Sequence, residues 1–460
     1  MTMSAMKIDS PTRGISVEPT VLVMGMGLTG ASCARFFAGR GIVAEFIDTR
    51  PEPPGMNAIL DAMPDARIQV GEQCSAVRPT IEQIVISPGF DLDASVLGEA
   101  RGRGLDIVSD IDLFVGECTA PIIAITGSNG KSTVTSMLDE ALSAAGLSTA
   151  VGANLGTPAL DLLDHDTDVF VLELSSFQLE RSRAVPATAA VILNLSPDHL
   201  DQHGDMSAYR MAKARIYSDC KHAVVNRDEP DLASLVMQGT PVTTFGLDQP
   251  MTGQLGIRQT ARGECIACGE DLLISVDELP LIGRHNLSNS LAALALGAAL
   301  GAALGANLNS MAQALKRFSG LPHRMQVVST AAGAKWINDS KATNVAAAVT
   351  SLASIEDPVV LIAGGDAKGV TFAALATELE GRSCTAILFG QDARRMAREL
   401  AGSCELQVVT DIREAVDKAL HIVVPGTTVL LAPACSSLDM FSNFAERGDL
   451  FTAAVRELAQ

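Results

Sequence analysis

At 460 residues, nearly half of them apolar, the chain has material for two to three domains of about 100–200 residues each, with large buried cores. Its 53 acidic against 34 basic residues leave a net charge of −19, which repels phosphate backbones and anionic lipid and argues against nucleic acid and membrane surfaces as partners. One Trp and two Tyr against 39 Gly favour glycine-turned α/β units over a β-sandwich, and nine scattered cysteines fit reduced cytosolic thiols better than a disulfide framework.

Residues 1–18, with Met1, Met3 and Met6 among polar neighbours and no basic-then-apolar leader, read as a flexible tail. Thr20 to Met24 is an apolar run leading into GMGLTG at 25–30, a helix pattern, and Val43 to Ile47 ending in Asp48. This βαβ unit carries G-x-G-x-x-G with an acid about 20 residues on, the arrangement that holds a pyrophosphate and a ribose. Taken alone, it points to a dinucleotide-dependent oxidoreductase. Ile84 to Ile86 then runs into Ser87-Pro88-Gly89, either a second loop at the same sheet edge or a simple turn.

The apolar run Pro121 to Ile125 opens TGSNGKST at 126–133, followed by a helix pattern through Val134, Met137, Leu138, Ala141 and Leu142. A buried strand that ends in a glycine-rich turn and opens a helix cradles phosphate, because backbone N–H groups converge on one anion. Lys131 supplies a point charge for the terminal phosphates, and the hydroxyl of Ser132 or Thr133 can reach a magnesium ion. The spacing G-x-x-G-K-S is two residues shorter than the standard phosphate loop, which implies a distinct family of triphosphate binders.

Val169 to Leu172 delivers Glu173 to a strand end, where an acid holds magnesium directly or through water. Ala190 to Leu193 delivers Asn194, Asp198, His199, Asp201 and His203 within ten residues, a density of ligand-type side chains that a plain loop rarely needs. His199 itself is either a ligand or a hydrogen-bonded loop histidine. Cys265 and Cys268 form a CxxC without a second pair and read as small residues near a hairpin. Leu291 to Ala306 is apolar but shorter than the ~20 residues of a membrane span, and so a buried helix. Pro322 marks a hinge into a third segment with strands at Val359 to Ala363, Ala386 to Phe389 and Thr428 to Leu431, whose ends are ligand positions in a parallel sheet. The expected architecture is α/β in three domains: a Rossmann-like domain at 19–112, a central P-loop ATPase-type domain at 113–320 and a Rossmann-like domain at 321–460.

In their order along the chain, TGSNGKST (126–133), ELSSFQLE (173–180), DHLDQHG (198–204), YRMAKARIY (209–217), GRHNLSN (283–289), HR (323–324) and NDSKATN (338–344) resemble the Mur ligase family. These are ATP-dependent amide-forming enzymes that build the peptide stem of the bacterial cell wall. GMGLTG at 25–30, IDTR at 47–50 and APACSSLDMFSNFAERG at 432–448 look like its D-glutamate-adding branch. The resemblance implies a cytoplasmic, monomeric ligase that joins D-glutamate to UDP-N-acetylmuramoyl-L-alanine through an acyl phosphate, and it displaces the dinucleotide reading. It places Leu28, Thr29, Asp48, Thr49, Arg50, Ser87 and Gly89 on the uridine nucleotide, with Asn154 and Gln178 on the muramoyl part. Gly127, Ser128, Asn129, Gly130, Lys131, Ser132, Thr133, Asn286, Asn289, Arg324, Asp339 and Lys341 fall to ATP. Thr343, Lys368, Ser437, Leu438 and Phe444 fall to the incoming amino acid. Ser132 and Glu173 match ligands of one Mg2+, and His199 matches a ligand of a second. Lys213 matches the lysine that the family modifies to a carbamate, an anionic oxygen ligand. Lys131, His199 and Lys213 are thereby the expected catalytic set. GGDAKGVTF at 364–372 departs from the family's usual form in having Thr371 before Phe372, which bears on how the Lys368 loop is held.

Overall fold

A computed structural model describes residues 18–71, 77–90, 95–280, 283–355 and 358–458. The expected tail lies outside the described residues apart from Glu18, as does the side chain of Asp201. The chain divides into two compact units: one holds the chain up to Cys118 with Thr157–Asp164 and Arg181–Arg183, and the other holds the remainder.

The first unit is built on a parallel sheet of β1 (Val21–Met24), β2 (Ala44–Asp48), β3 (Arg67–Val70), β4 (Gln83–Ile86) and β5 (Asp106–Ser109), ordered β3-β2-β1-β4-β5. The order reverses between β1 and β4, and ligands of such sheets sit in the crevice at that switch point. The glycine loop after β1 and Ser87 after β4 meet there: Gly25 has φ 101°, and a Cβ on it would lie 2.7 Å from the Ser87 Cβ. Helix α1 (Leu28–Ala38) leaves this loop.

Asp110 follows β5 and is buried, with its Oδ1 lacking any hydrogen-bond partner. Burial, with a smaller push from the Asp112 carboxylate, lifts it from 3.8 to about 6 against hydrogen bonding to the Ile111 backbone. An acid whose folded pKa is raised binds its proton more tightly in the folded state, so stability falls as pH rises from about 4 to about 6. Asp110→Asn, neutral throughout, is expected to stabilise the unit at pH 7.5 by about 1–3 kcal/mol and to flatten that pH dependence. Urea unfolding at pH 4.5 and 7.5 checks this, and an equal effect of the substitution at both pH values rejects it.

The second unit carries two sheets. The first comprises β6 (Ile122–Thr126), β7 (Thr149–Ala153), β8 (Val169–Glu173), β9 (Ala189–Ile192), β10 (Ala223–Asn226), β11 (Val242–Phe245), β12 (Leu255–Thr260), β13 (Gly263–Cys268) and β14 (Asp271–Ser275). Their order is β14-β13-β12-β11-β10-β9-β6-β8-β7, parallel except at β12-β13 and β13-β14. Cys265 and Cys268 stand within β13, in the middle of this antiparallel extension. They lie in a hairpin, as small residues there were expected to, since three consecutive strands with short turns pair antiparallel.

Helix α2 (Lys131–Ala144) springs from β6, α3 (Ser176–Arg181) follows β8, and α4 (Leu200–His203) and α5 (Met206–Ala214) follow β9. Helix α6 spans Arg284–Leu304 and stops at Gly305 in the left-handed region. It begins seven residues before the apolar run predicted it, because its polar first turns face a cavity rather than the core. Its apolar length packs with α2 in a core that includes Leu138, Leu142, Leu291 and Leu294. Among the described residues no helix is long and apolar enough to cross a membrane.

The last sheet holds β15 (Gln326–Ser329), β16 (Lys335–Asn338), β17 (Val359–Gly364), β18 (Cys384–Phe389), β19 (Glu405–Val408) and β20 (Thr428–Leu431), ordered β15-β16-β20-β17-β18-β19 with only β15 antiparallel. One face is covered through Leu352, Leu375 and Met396, the other through Val416, Phe451 and Val455. Burial on both faces explains the continuous apolar runs of β17, β18 and β20.

Candidate active site

Strand β6 is wholly buried and releases the loop Gly127–Gly130 at its C-terminal end. Gly130 adopts φ 82°, and a Cβ there would lie 2.6 Å from the Asn289 Oδ1, so only glycine lets α6 approach the loop this closely. Strand β9 supplies the brace. Asn194 accepts from the Asn129 N–H at 2.9 Å and returns a hydrogen bond to its carbonyl, while the Ser128 hydroxyl bonds Ser196 and lies 3.0 Å from the Tyr209 hydroxyl. Ser196 and Tyr209 as loop supports were not evident beforehand, because their roles depend on contacts 68 and 81 residues apart.

Lys131 opens α2 and donates to the carbonyls of Gly127 and Ser128 at 2.8 and 3.0 Å. Burial lowers its pKa, opposed by the Glu173 and Asp198 carboxylates and reinforced by Arg324. Lys213 is buried and donates to the Gly127 carbonyl at 2.9 Å. Its pKa is held well below the ordinary lysine value by burial first and the Lys131 charge second. From beyond Pro322 in the sequence, Arg324 donates to the Ser132 hydroxyl at 2.7 Å, and Asn344 to the Asp198 carboxylate at 3.3 Å. Lys341 is pushed down to about 8 by burial and then by Arg324. Lys131, Arg324 and Lys341 bring cationic side chains together inside a chain of net charge −19, as anionic phosphates require.

Arg324 and Lys341 line a cavity of about 370 Å3. Gly130 and Thr133 of the loop, Asn286 and Asn289 of α6, and Arg324, Asp339 and Lys341 of the last segment all line it. Asp339 accepts from the Met325 N–H and the Ser351 hydroxyl, and burial raises its pKa against those bonds. The wall also contains Asp228 and Glu229, at the end of β10, which the sequence reading did not single out.

Glu173 ends β8, with Oε1 accepting from Asn154 at 2.7 Å and Oε2 buried without a hydrogen-bond partner. An orphaned buried carboxylate oxygen is costly until a donor or cation meets it, and Mg2+ takes hard oxygen ligands. The free Glu173 oxygen therefore fits a hard cation such as Mg2+, while the Ser132 hydroxyl is engaged by Arg324. His199 adopts φ 52° at the start of α4, its ring meeting Phe177 edge-on at 5.1 Å. An unmodified Lys213 offers donors only, so its fit to a metal depends on a carbamate oxygen. No group of three or more His, Cys, Asp or Glu among the described residues is placed to hold a metal.

The other expected residues fall into two sets. In the first unit Leu28, Thr29, Asp48, Thr49, Arg50, Ser87 and Gly89 stand at the C-terminal ends of β1, β2 and β4. Asp48 accepts from the Met26 N–H at 2.8 Å and from Arg50 at 2.7 and 2.8 Å. Burial alone would raise its pKa, but these bonds together lower it. Asn154 and Gln178 lie in the second unit, Gln178 closing the first turn of α3 through Ser175.

At the C-terminal ends of the last sheet stand Thr343, Lys368, Ser437, Leu438 and Phe444. The Lys368 loop is pinned to the Ser437 loop by paired hydrogen bonds between Asp366 and Ser436, and Gly365 is needed because a Cβ would come within 2.2 Å of the Ser436 carbonyl. Thr371 bonds Glu399 at 2.9 Å, and Phe372 N–H bonds the same carboxylate, so the departure at 371 leaves the loop anchored. Lys341 stacks over the Phe444 ring at 4.0 Å, linking the cavity to this set.

Residues 19–109 match the N-terminal domain of MurD-like Mur ligases, 125–297 the Mur ligase middle domain, and 323–435 the Mur ligase glutamate ligase domain. The chain belongs to the Mur ligase family. Among Mur ligases it is similar to the UDP-N-acetylmuramoylalanine--D-glutamate ligase of Nitrosococcus oceani, with 44% identity over 96% of this chain and 97% of that protein. The ligase of the same name from Pseudomonas putida is 43% identical over 95% and 97% of the two chains. Solved Mur ligases share the fold: UDP-N-acetylmuramate-alanine ligase MurC of Thermotoga maritima has a TM-score of 0.61 at 17% identity, covering 96% of this chain and all of that one. MurF ligase of the same organism, in complex with ADP, also has a TM-score of 0.61 at 17% identity, over 90% and 95%.

Proposed function

We propose that this Mur ligase joins D-glutamate to UDP-N-acetylmuramoyl-L-alanine at the expense of ATP, in the cytoplasm and as a monomer, with domains at 19–112, 113–320 and 321–460. The observation that carries an ATP-driven reaction is the Arg324–Ser132 hydrogen bond, which draws the phosphate loop and the last segment onto one cavity. The choice of substrates is supported by full-length relatives bearing that name.

In the first step a carboxylate oxygen of the L-alanyl group bonds to the γ-phosphorus while the bond to the β-γ bridging oxygen breaks, giving an acyl phosphate and ADP. In the second, the D-glutamate nitrogen bonds to the acyl carbon, phosphate departs with its oxygen, and the amine loses a proton. Phosphoryl transfer of this kind demands placement and charge neutralisation rather than covalent help from the protein. Lys131 and the loop N–H groups hold the terminal phosphates, while Asn286, Asn289, Arg324, Asp339 and Lys341 fix the nucleotide. Leu28, Thr29, Asp48, Thr49, Arg50, Ser87 and Gly89 hold the uridine nucleotide, with Asn154 and Gln178 on the sugar. Thr343, Lys368, Ser437, Leu438 and Phe444 receive the amino acid.

Ser132 and Glu173 would hold one magnesium ion, and His199 with a carbamylated Lys213 a second; when bound, such ions neutralise phosphate charge. The low pKa of Lys213 favours the carbamate, since a neutral amine adds CO2 and releases a proton.

Phosphate release measured with UDP-N-acetylmuramoyl-L-alanine, ATP and each amino acid in turn tests the proposal. Turnover is expected with D-glutamate alone. Faster turnover with L-glutamate or another amino acid overturns the substrate assignment.

A further inference from the structure

The short helix α4 ends in a second histidine that the proposed reaction does not use. The His203 side chain is only 1% exposed, and its Nε2 lies 2.9 Å from the Ser176 hydroxyl. Its ring stacks on Phe177 at 5.1 Å with an interplanar angle of 11°, and its Nδ1 lies 4.0 Å from Glu180. Ser176, Phe177 and Glu180 all belong to α3, which starts three residues after Glu173. Phe177 is also the ring that meets His199 edge-on. On its other side His203 lies 5.4 Å from Tyr209, whose hydroxyl reaches Ser128 of the phosphate loop.

One imidazole thus touches the helix behind Glu173, the ring behind His199 and the tyrosine behind the phosphate loop. A polar ring is buried at a cost unless its nitrogens are engaged, and the Ser176 contact engages Nε2. His199 sits in the left-handed region, a conformation that non-glycine residues hold only when their surroundings impose it. The Phe177–His203 stack is packed where it can impose it.

We propose that His203 is a positioning residue, a wedge between α3 and α5 that sets the Glu173 and His199 loops in register with the phosphate loop. The inference rests on the reading of His199 as a group acting at the reacting phosphates. Steady-state phosphate release on the full chain tests it, with His199→Ala as the reference. His203→Ala is expected to lower kcat about 10- to 100-fold, as misplacement of reacting groups does, with KM for D-glutamate within about 2-fold of wild type. His203→Phe keeps the stack and is expected to recover most of kcat, whereas His203→Gln keeps a polar atom without the ring and stays impaired. Phe and Gln also decide the point if His203→Ala does not fold. An impaired His199→Ala beside a His203→Ala of near-normal kcat overturns the positioning role alone, as does a His203→Phe no better than His203→Gln. A fully active His199→Ala overturns the reading of His199, and the proposal with it.

Discussion

Replacing Lys131 by Ala is expected to reduce ATP-dependent phosphate release by about 1,000-fold or more, the scale on which a cation at a transferring phosphoryl group contributes. Its ammonium is the first side chain of α2, set by the left-handed turn at Gly130 and resting on the carbonyls of Gly127 and Ser128. Two carboxylates, Glu173 and Asp198, favour its charged form, while burial and Arg324 oppose it, so the site gains most when phosphate oxygens supply the missing negative charge. Alanine removes that charge where it is least replaceable by water. Lys131→Arg keeps a charge, but its planar fork is wider than a point cation and should restore only a small part of kcat. The desolvation cost of the ammonium offsets its contacts with the Gly127 and Ser128 carbonyls, so the folded state is expected to depend little on it. Thermal unfolding should therefore change by a few degrees at most. A Lys131→Ala variant with more than a tenth of wild-type kcat would exclude the proposed role.

The second large effect concerns Lys213. Lys213→Ala should lose most activity, about 100-fold or more, because the loss of one electrostatic contributor at a charge-developing centre costs that much. Two explanations are separable by chemistry. If Lys213 acts as a carbamate, added formate or acetate can enter the space left by the side chain and partly restore turnover, and dissolved CO2 should raise the activity of the wild type. If it acts only as an ammonium tied to the Gly127 carbonyl at 2.9 Å, short amines rather than carboxylates should rescue. The buried setting beside Lys131 favours the first outcome, because two ammonium groups repel and the neutral amine is the form that captures CO2. Rescue by amines, or no loss at all, removes the carbamate.

Much of the fold could be read from local pattern. β17, β18 and β20 are continuous apolar runs bounded by glycine or polar residues, and β6 is followed by a motif whose backbone requirements are local. Elements whose pattern is set from outside are less legible. The first two turns of α6 are polar because Asn286 and Asn289 face the cavity, so the apolar run understated the helix. β13 and β14 alternate weakly because an antiparallel extension is buried on only part of its surface, and hydrophobic periodicity does not specify a partner strand.

The candidate site divides the same way. Lys131, Glu173 and His199 stand out because strand ends present chemistry in a recognisable spacing. Tyr209 under Ser128, His203 against Phe177, and Asp228 in the cavity wall carry no such signal, since each acts through a residue distant in sequence.

By itself the sequence determined the two nucleotide-type loops, the acidic chain with few but well-placed cations, and the ordered motifs of an amide ligase, because each rests on short-range backbone and side-chain chemistry. Only the tertiary structure decided that Arg324 reaches Ser132 over 192 residues, that Glu173 keeps one buried oxygen free of donors, and that His203 sits behind both His199 and the phosphate loop. Those facts arise from packing between elements, where burial and distance are fixed by the whole fold rather than by any one segment.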